Sequence, residues 1–314
     1  MTRYRQQLPQ LDEHLFMTDG GLETTLVFHE GMDLPHFAAF DLLASASGRN
    51  TLRTYYQRYA RMAVEHGMGM ILESPTWRAN SDWGDRLGYD RATLAEVNLE
   101  AIALMSEIRA NFSSRHSPMV ISGNLGPRGD GYTPSARMSV TEAEDYHAEQ
   151  IEVFAGSAAD MVAAFTINYV DEAIGIATAA RSLRMPLAIS FTVETDGRLP
   201  DGASLASAIQ RTDASSDSTP AYYMLNCAHP DHFRHLFRDD EPWQRRIRGV
   251  RANASRLSHA ELDTATELDI GNPRELGNQY RELTARLPWL RVFGGCCGTD
   301  HRHVDEICSA LQAA

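Results

Sequence analysis

Cysteine is scarce in this chain. Four in 314 residues are too few for the disulfide framework of a small secreted scaffold. Basic residues are outnumbered, 29 Lys and Arg against 42 Asp and Glu, for a net charge of −13. A nucleic-acid binder needs a cationic face against phosphates, and a polybasic membrane-surface protein needs one against anionic lipids, so neither class fits. No apolar run approaches the roughly eighteen residues of a membrane span, and the N-terminal stretch has no apolar core of a secretory leader. Gly/Ser linkers and low-complexity tracts are missing too. The composition left, 43% hydrophobic and 23% charged, is that of an ordinary globular protein. The expectation is a cytoplasmic enzyme with reduced thiols and small-molecule partners, no nucleic acid and no membrane; a homo-oligomer is left open.

Short apolar runs recur along the chain: His14–Met17, Gly69–Leu72, Met119–Ser122, Met161–Phe165, Leu187–Phe191, Tyr222–Leu225, Ile247–Val250 and Leu290–Phe293. Each closes on Gly, Pro or polar residues and reads as a strand. Between them lie helical patterns, clearest over 51–66, where apolar or aromatic residues fall at 52, 55, 56, 59, 60, 63 and 64. Segments 92–110, 141–155, 172–183 and 273–287 read likewise, the second of these opening on a Thr141–Glu144 capping box. Segment 204–220, rich in Ser, Thr and Asp, reads as a loop between the fifth and sixth strands, and 254–270 as loop plus a short helix. Strand–helix units in this number close naturally into a (β/α)8 barrel. The expectation is one domain over residues 1–314, with 1–14 a short N-terminal extension.

Chemistry in such a barrel sits where the strands end at the C-terminal rim. Asp19, Glu73, Asn124, Asn168, Glu194, Cys227, Asn253, Cys296 and Cys297 all fall at strand ends. Polar residues end strands in any case, but cysteines need not. Cys227 follows the sixth strand and Cys296–Cys297 the eighth, so the three share one rim. They suit a zinc ion with one position left open, and Gly294, Gly295 and Gly298 give the adjacent pair backbone freedom. Buried small side chains or a vicinal disulfide are the alternatives on spacing alone. Cys308 lies in an apolar-periodic C-terminal helix and reads as core.

The run Gly294-Gly295-Cys296-Cys297-Gly298, with Asn226-Cys227 upstream and Asp19-Gly20-Gly21 near the start, resembles the homocysteine S-methyltransferase family. Gly123-Asn124-Leu125-Gly126-Pro127 is similar to that family's loop after strand three. Ser190-Phe191-Thr192-Val193, with Gly197-Arg198-Leu199 and Asp201-Gly202, is similar to its strand-five segment. The resemblance spans nearly the whole chain. It implies a Zn2+ site of Cys227, Cys296 and Cys297 and a methyl transfer onto a thiol acceptor, homocysteine by default, giving methionine. Only a thiolate attacks well, and zinc can generate and orient one. The barrel uses up the chain, so no cobalamin or folate domain is expected. The donor is expected to be a small onium compound: S-methylmethionine, S-adenosylmethionine, a betaine or a dimethylsulfonium.

Asp19, Gly20, Gly21, Glu23, Glu73, Asn124, Asn168, Glu194 and Asn226 are the candidate substrate contacts. One departure bears on the acceptor. Many family members carry Phe-Glu-Thr after strand four, and the resemblance implies that its Glu holds the acceptor's ammonium; here Phe165 occupies that place. Either Glu23, Glu73 or Glu194 replaces it, or the acceptor has no amine there. Trp77, Trp83 and Tyr89 are weighed as faces for an onium cation against plain loop packing. Arg128 is weighed as a carboxylate contact, and His29, His36, His301 and His303 read as surface or helix-start residues. Competing functions are methylation of another thiol, a zinc- or thiol-binding relative without activity, and a zinc hydrolase.

Overall fold

A computed structural model describes residues 2–134 and 137–313; Met1 and Ala314, the ends of the expected domain, lie outside the described residues. Strands β1 (Phe16–Met17), β2 (Gly69–Glu73), β3 (Met119–Leu125), β4 (Met161–Ile167), β5 (Leu187–Phe191), β6 (Tyr222–Asn226), β7 (Ile247–Ala252) and β8 (Val292–Gly295) form a closed barrel in sequence order. Every pairing is parallel, and β1 closes the ring by pairing β2 through Phe16 and Gly69 and β8 through Phe16 and Val292. The chain is a single-domain (β/α)8 barrel. Parallel strands covered on both faces read as continuous apolar runs, which is why the eight segments stood out.

The longer helices are α1 (Ala46–Glu65), α2 (Arg91–Phe112), α3 (Val140–Ala155), α4 (Val170–Ser182), α5 (Leu205–Ser216), α6 (Pro273–Arg286) and α7 (His301–Gln312). In α1, Leu52, Tyr55, Tyr56, Tyr59, Ala60 and Ala63 are buried on one face, and the Ser45 hydroxyl caps the N-terminus by accepting from Gly48 N. Two expectations are corrected. The capping box of α3 is Ser139 with Glu142, two residues before Thr141 and Glu144. Segment 204–220 is not a loop: α5 fills most of it, capped by Ser204, with Leu205, Ala208, Ile209 and Thr212 buried. Those four positions carry helical spacing. The hydroxyls of Thr212 and Ser216 donate to the carbonyls of Ala208 and Thr212, so polar side chains that suggest a turn are satisfied within the helix. No described helix is long and apolar enough to cross a membrane.

The N-terminal end of the barrel is stoppered by the first residues. Leu8 is buried against the interior residues Phe16, Ile71, Val120 and Met161. Gln10 donates to Met161 Sδ at 3.1 Å, and Arg248 Nη2 to the Leu11 carbonyl at 2.7 Å. Asp160, itself fully buried, accepts from the backbone N–H groups of Arg3 and Tyr4 and pairs with Arg109 at 2.6 Å. Closure at this end leaves the C-terminal rim as the place where the barrel opens.

Candidate active site

Alternation along the strands sets which residues face inward. Ile71, Val120, Met161, Ala163, Phe165, Met224 and Val292 pack in the interior. Continuing the same parity upward points Glu73, Ser122, Asn124, Asn226 and Arg251 the same way. Above them lies a cavity of about 330 Å³ whose wall includes Asp19, Glu23, Glu73, Asn124, Phe165, Asn226, Arg251 and the three rim cysteines.

The sulfurs of Cys227, Cys296 and Cys297 lie within 4.8 Å of one another. Among the described residues they are the only group of three or more His, Cys, Asp or Glu side chains so placed. Cys227 takes a left-handed backbone, φ 54°, a conformation of appreciable cost for a non-glycine residue. Its carbonyl is held there by Asn253 Nδ2 at 3.0 Å and His259 Nε2 at 2.6 Å. Cys296 N donates to the Ala252 carbonyl at 2.8 Å, and Ala254 N donates to the Cys297 carbonyl at 3.0 Å, tying the pair to β7 and the loop after it. Gly298 follows at φ 78°, as a tight turn requires. Gly21 packs beneath: a Cβ there would lie 2.7 Å from the Cys296 carbonyl oxygen. Cys227 and Cys296 are the closest pair of the trio, with Cα atoms 5.4 Å apart, and Cys297 Sγ stands 4.0 Å from Cys227 Sγ. Burial pushes the Cys297 thiol up, with Tyr132 opposing as a hydrogen-bond partner. Cys308 is fully buried in α7.

Arg251, the central charge of the site, lies one residue past the apolar run 247–250 and was passed over in the sequence. A charged residue at an inward position of a strand was the available signal. Its Nη2 meets Asp19 Oδ1 at 2.7 Å and the Gly20 carbonyl at 3.1 Å, and its Nε donates to the Gly295 carbonyl at 3.0 Å. Its guanidinium carbon is 5.0 Å from the centre of the Phe165 ring. Asp19 also accepts from Tyr55 Oη at 3.0 Å. Burial raises the Asp19 pKa against the pull of Arg251 and Tyr55. Glu23 and Glu73 are both pushed up to about 7, chiefly by burial.

Other candidates stand elsewhere. Glu194 is outside the cavity wall and faces His259 Nδ1 at 3.3 Å, so it orients the imidazole that holds Cys227. Asn168 donates to the Asp130 carbonyl at 2.9 Å and Gly20 accepts from Arg251; both support the wall from behind. Trp77 and Trp83 do flank a cation, but it is the chain's own: the Arg78 guanidinium carbon lies 3.9 and 3.8 Å from the two ring centres. Tyr89 instead bonds Asp41 at 2.6 Å. Arg128 meets a protein carboxylate, Asp82, at 2.8 Å. His303 is fully buried rather than solvated, receiving the Asp300 N–H on Nδ1 at 3.1 Å, with Nε2 2.8 Å from the Ile270 carbonyl.

A rim of this composition on this barrel matches a known group. The homocysteine S-methyltransferase family model matches residues 16–311. The chain belongs to that family. It is therefore an S-methyltransferase. Homocysteine S-methyltransferase 4 of Zea mays is 26% identical over 325 residues, covering 95% of this chain and 90% of that protein. Among solved structures, the oxidized form of the homocysteine methyltransferase MmuM from Escherichia coli superposes with a TM-score of 0.76 at 18% identity, over 98% of this chain and 97% of that one. The metallated form of the same enzyme gives 0.72 at 17% identity, over 96% of each chain. Within the family, this chain carries an Arg251–Asp19 pair, and Phe165 in the cavity wall.

Proposed function

We propose that this enzyme is zinc-dependent and moves a methyl group from a small onium donor to a thiol acceptor, homocysteine by default. The convergence of three cysteine sulfurs on one cavity wall carries the reading. Three soft donors fit zinc and leave a position for a substrate sulfur, so Cys227, Cys296 and Cys297 would hold the ion. Bound there, zinc supplies the Lewis acidity that favours the thiolate of an acceptor at neutral pH. In the transfer, the donor's S–CH3 or N–CH3 bond breaks and its electrons stay with the departing sulfur or nitrogen. The acceptor sulfur gains the methyl, and the thiol proton passes to solvent.

The chain's own residues do the positioning. Asn253 and His259 fix Cys227, Arg251 neutralises Asp19, and Phe165 keeps the interior apolar beneath the reacting centre. The outer wall supports a cationic donor: Asp130, Asp263, Glu267 and Asp269 join Glu23 and Glu73 around the cavity, against Arg78 and Arg251. A surplus of carboxylates around a concave site attracts cations. The hydrolase alternative finds no histidine–carboxylate ligand group among the described residues. The deciding experiment is a screen of zinc-loaded protein with homocysteine and other thiols against sulfonium and quaternary ammonium donors, read by mass spectrometry. A thioether product is expected. Failure of every thiol with every donor, or hydrolysis of an ester or amide instead, overturns the reading.

A further inference from the structure

The cavity wall holds a buried carboxylate that receives no N–H donor from the described residues. Glu73, at the end of β2, is 2% exposed, and no N–H group of the described residues donates to either of its oxygens. Burying such a group with so few partners is costly. The nearby cation is committed elsewhere: Arg251 spends Nη2 on Asp19 and the Gly20 carbonyl and Nε on the Gly295 carbonyl. Ser122, on the neighbouring strand in register with Glu73, turns its hydroxyl toward the carboxyl and opposes the effect of burial without cancelling it. Phe165 offers only a ring.

A single hydroxyl leaves most of the carboxylate's acceptor capacity unfilled, and no N–H group of the described residues donates to it. A sulfonium or quaternary ammonium brings charge but no N–H, whereas a primary ammonium brings three. We propose that Glu73 anchors the primary ammonium of the acceptor, so that the site selects an amino thiol over a simple mercapto acid. This rests on the thiol-acceptor reading above. Asp19 is already neutralised by Arg251, and Glu194 lies outside the wall, so neither competes for the role. Glu23, half-buried, is the remaining carboxylate of the three weighed from the sequence. Burial that holds the Glu73 carboxyl near 7 adds a signature: seating an ammonium there ionises it and releases a proton.

The test is calorimetric titration of zinc-loaded protein at pH 7 with homocysteine and with its des-amino analogue, 4-mercaptobutyrate. Each is run in buffers of different ionisation heat, so that acceptor binding is read without turnover or donor. Wild type is expected to bind homocysteine at least tenfold more tightly and to release more protons with it. Glu73→Gln is expected to abolish both differences while keeping its affinity for 4-mercaptobutyrate, which also reports an intact fold. Glu23→Gln keeps both differences. If Glu73→Gln loses both thiols, Glu73→Asp serves instead, and must weaken homocysteine at least tenfold more than the analogue. A preference for homocysteine that survives in Glu73→Gln, or no preference in wild type, overturns the proposal alone. Binding of neither thiol to zinc-loaded wild type overturns the acceptor reading and this proposal with it.

Discussion

Arg251 and Asp19 form an ion pair at 2.7 Å inside the mouth of the barrel, joining β7 to the turn after β1 with both side chains nearly sealed from water. Desolvation alone would make each ion unfavourable there. The pair persists because Tyr55 and the carbonyls of Gly20 and Gly295 complete its hydrogen bonds. It also changes the role of Asp19, whose charge is already spent and is not free to seat a substrate cation.

Removing one partner therefore strands the other. Arg251→Met is expected to lower the unfolding free energy by about 3–5 kcal/mol, and Asp19→Asn by a similar amount. The double variant should recover a substantial part of the loss, because no unpaired ion remains. Urea unfolding of the four proteins gives the coupling. Additive losses would mean that the two side chains act independently.

Cys227→Ser and Cys297→Ser are expected to lose most of their zinc on dialysis, while Cys308→Ser keeps it because that side chain is buried in α7 away from the trio. Elemental analysis of the purified variants reads this. Full occupancy in both rim variants would place the metal elsewhere.

Asp300 caps α7, accepting from Arg302 N at 2.9 Å and bonding the Arg302 side chain, and lies 3.2 Å from His303 Nδ1. Burial alone would raise its pKa, but these hydrogen bonds and charges hold it well below the usual carboxylate range. A carboxylate with a depressed folded pKa contributes stability that is present above its unfolded pKa of about 4 and is lost as the pH falls toward the folded one. Asp300→Ala should cost about 1–2 kcal/mol at pH 7, typical of a lost cap. The gap from wild type should narrow below pH 4. Thermal melts across that range check it; a gap that widens on acidification would contradict the assignment.

Strand positions were legible because buried parallel strands are apolar throughout, and the cysteines because adjacent Cys residues between glycines have few other uses. What escaped had a physical reason in each case. Helix α5 hides its apolar face among Ser and Thr that bond back to their own helix. The strand reading stopped at Val250, before the inward-facing Arg251 that continues β7 to Ala252. Arg78 could not be seen as the cation between Trp77 and Trp83, because a stack depends on how a loop folds back. The sequence also left Glu23, Glu73 and Glu194 equivalent, since only tertiary contacts show which carboxylate already has a partner.

With Trp77 and Trp83 committed to Arg78, the most exposed aromatic faces on the cavity are those of Phe28 and Phe37. Phe28 and Phe37 both line the cavity and remain 55% and 56% exposed. Phe37 is held in a left-handed conformation, φ 57°, directly after His36 at φ 54°. Two such residues in succession are unfavourable, and the fold keeps them while leaving a large ring in water. A sulfonium entering past these rings would gain cation–π attraction of roughly 1 kcal/mol at so exposed a site. Phe37→Ala and Phe28→Ala should each raise the KM for a sulfonium donor about fivefold, the equivalent of that energy. The KM for the thiol should stay unchanged, since a thiol carries no onium charge for the rings to attract. Phe37→Leu separates the causes: it keeps apolar area but has no π face. It should behave like the alanine variant if the ring's quadrupole matters, and like wild type if the contact is only hydrophobic. An unchanged donor KM in both alanine variants would mean that the donor enters by another side of the mouth, along the acidic segment that carries Asp263, Glu267 and Asp269.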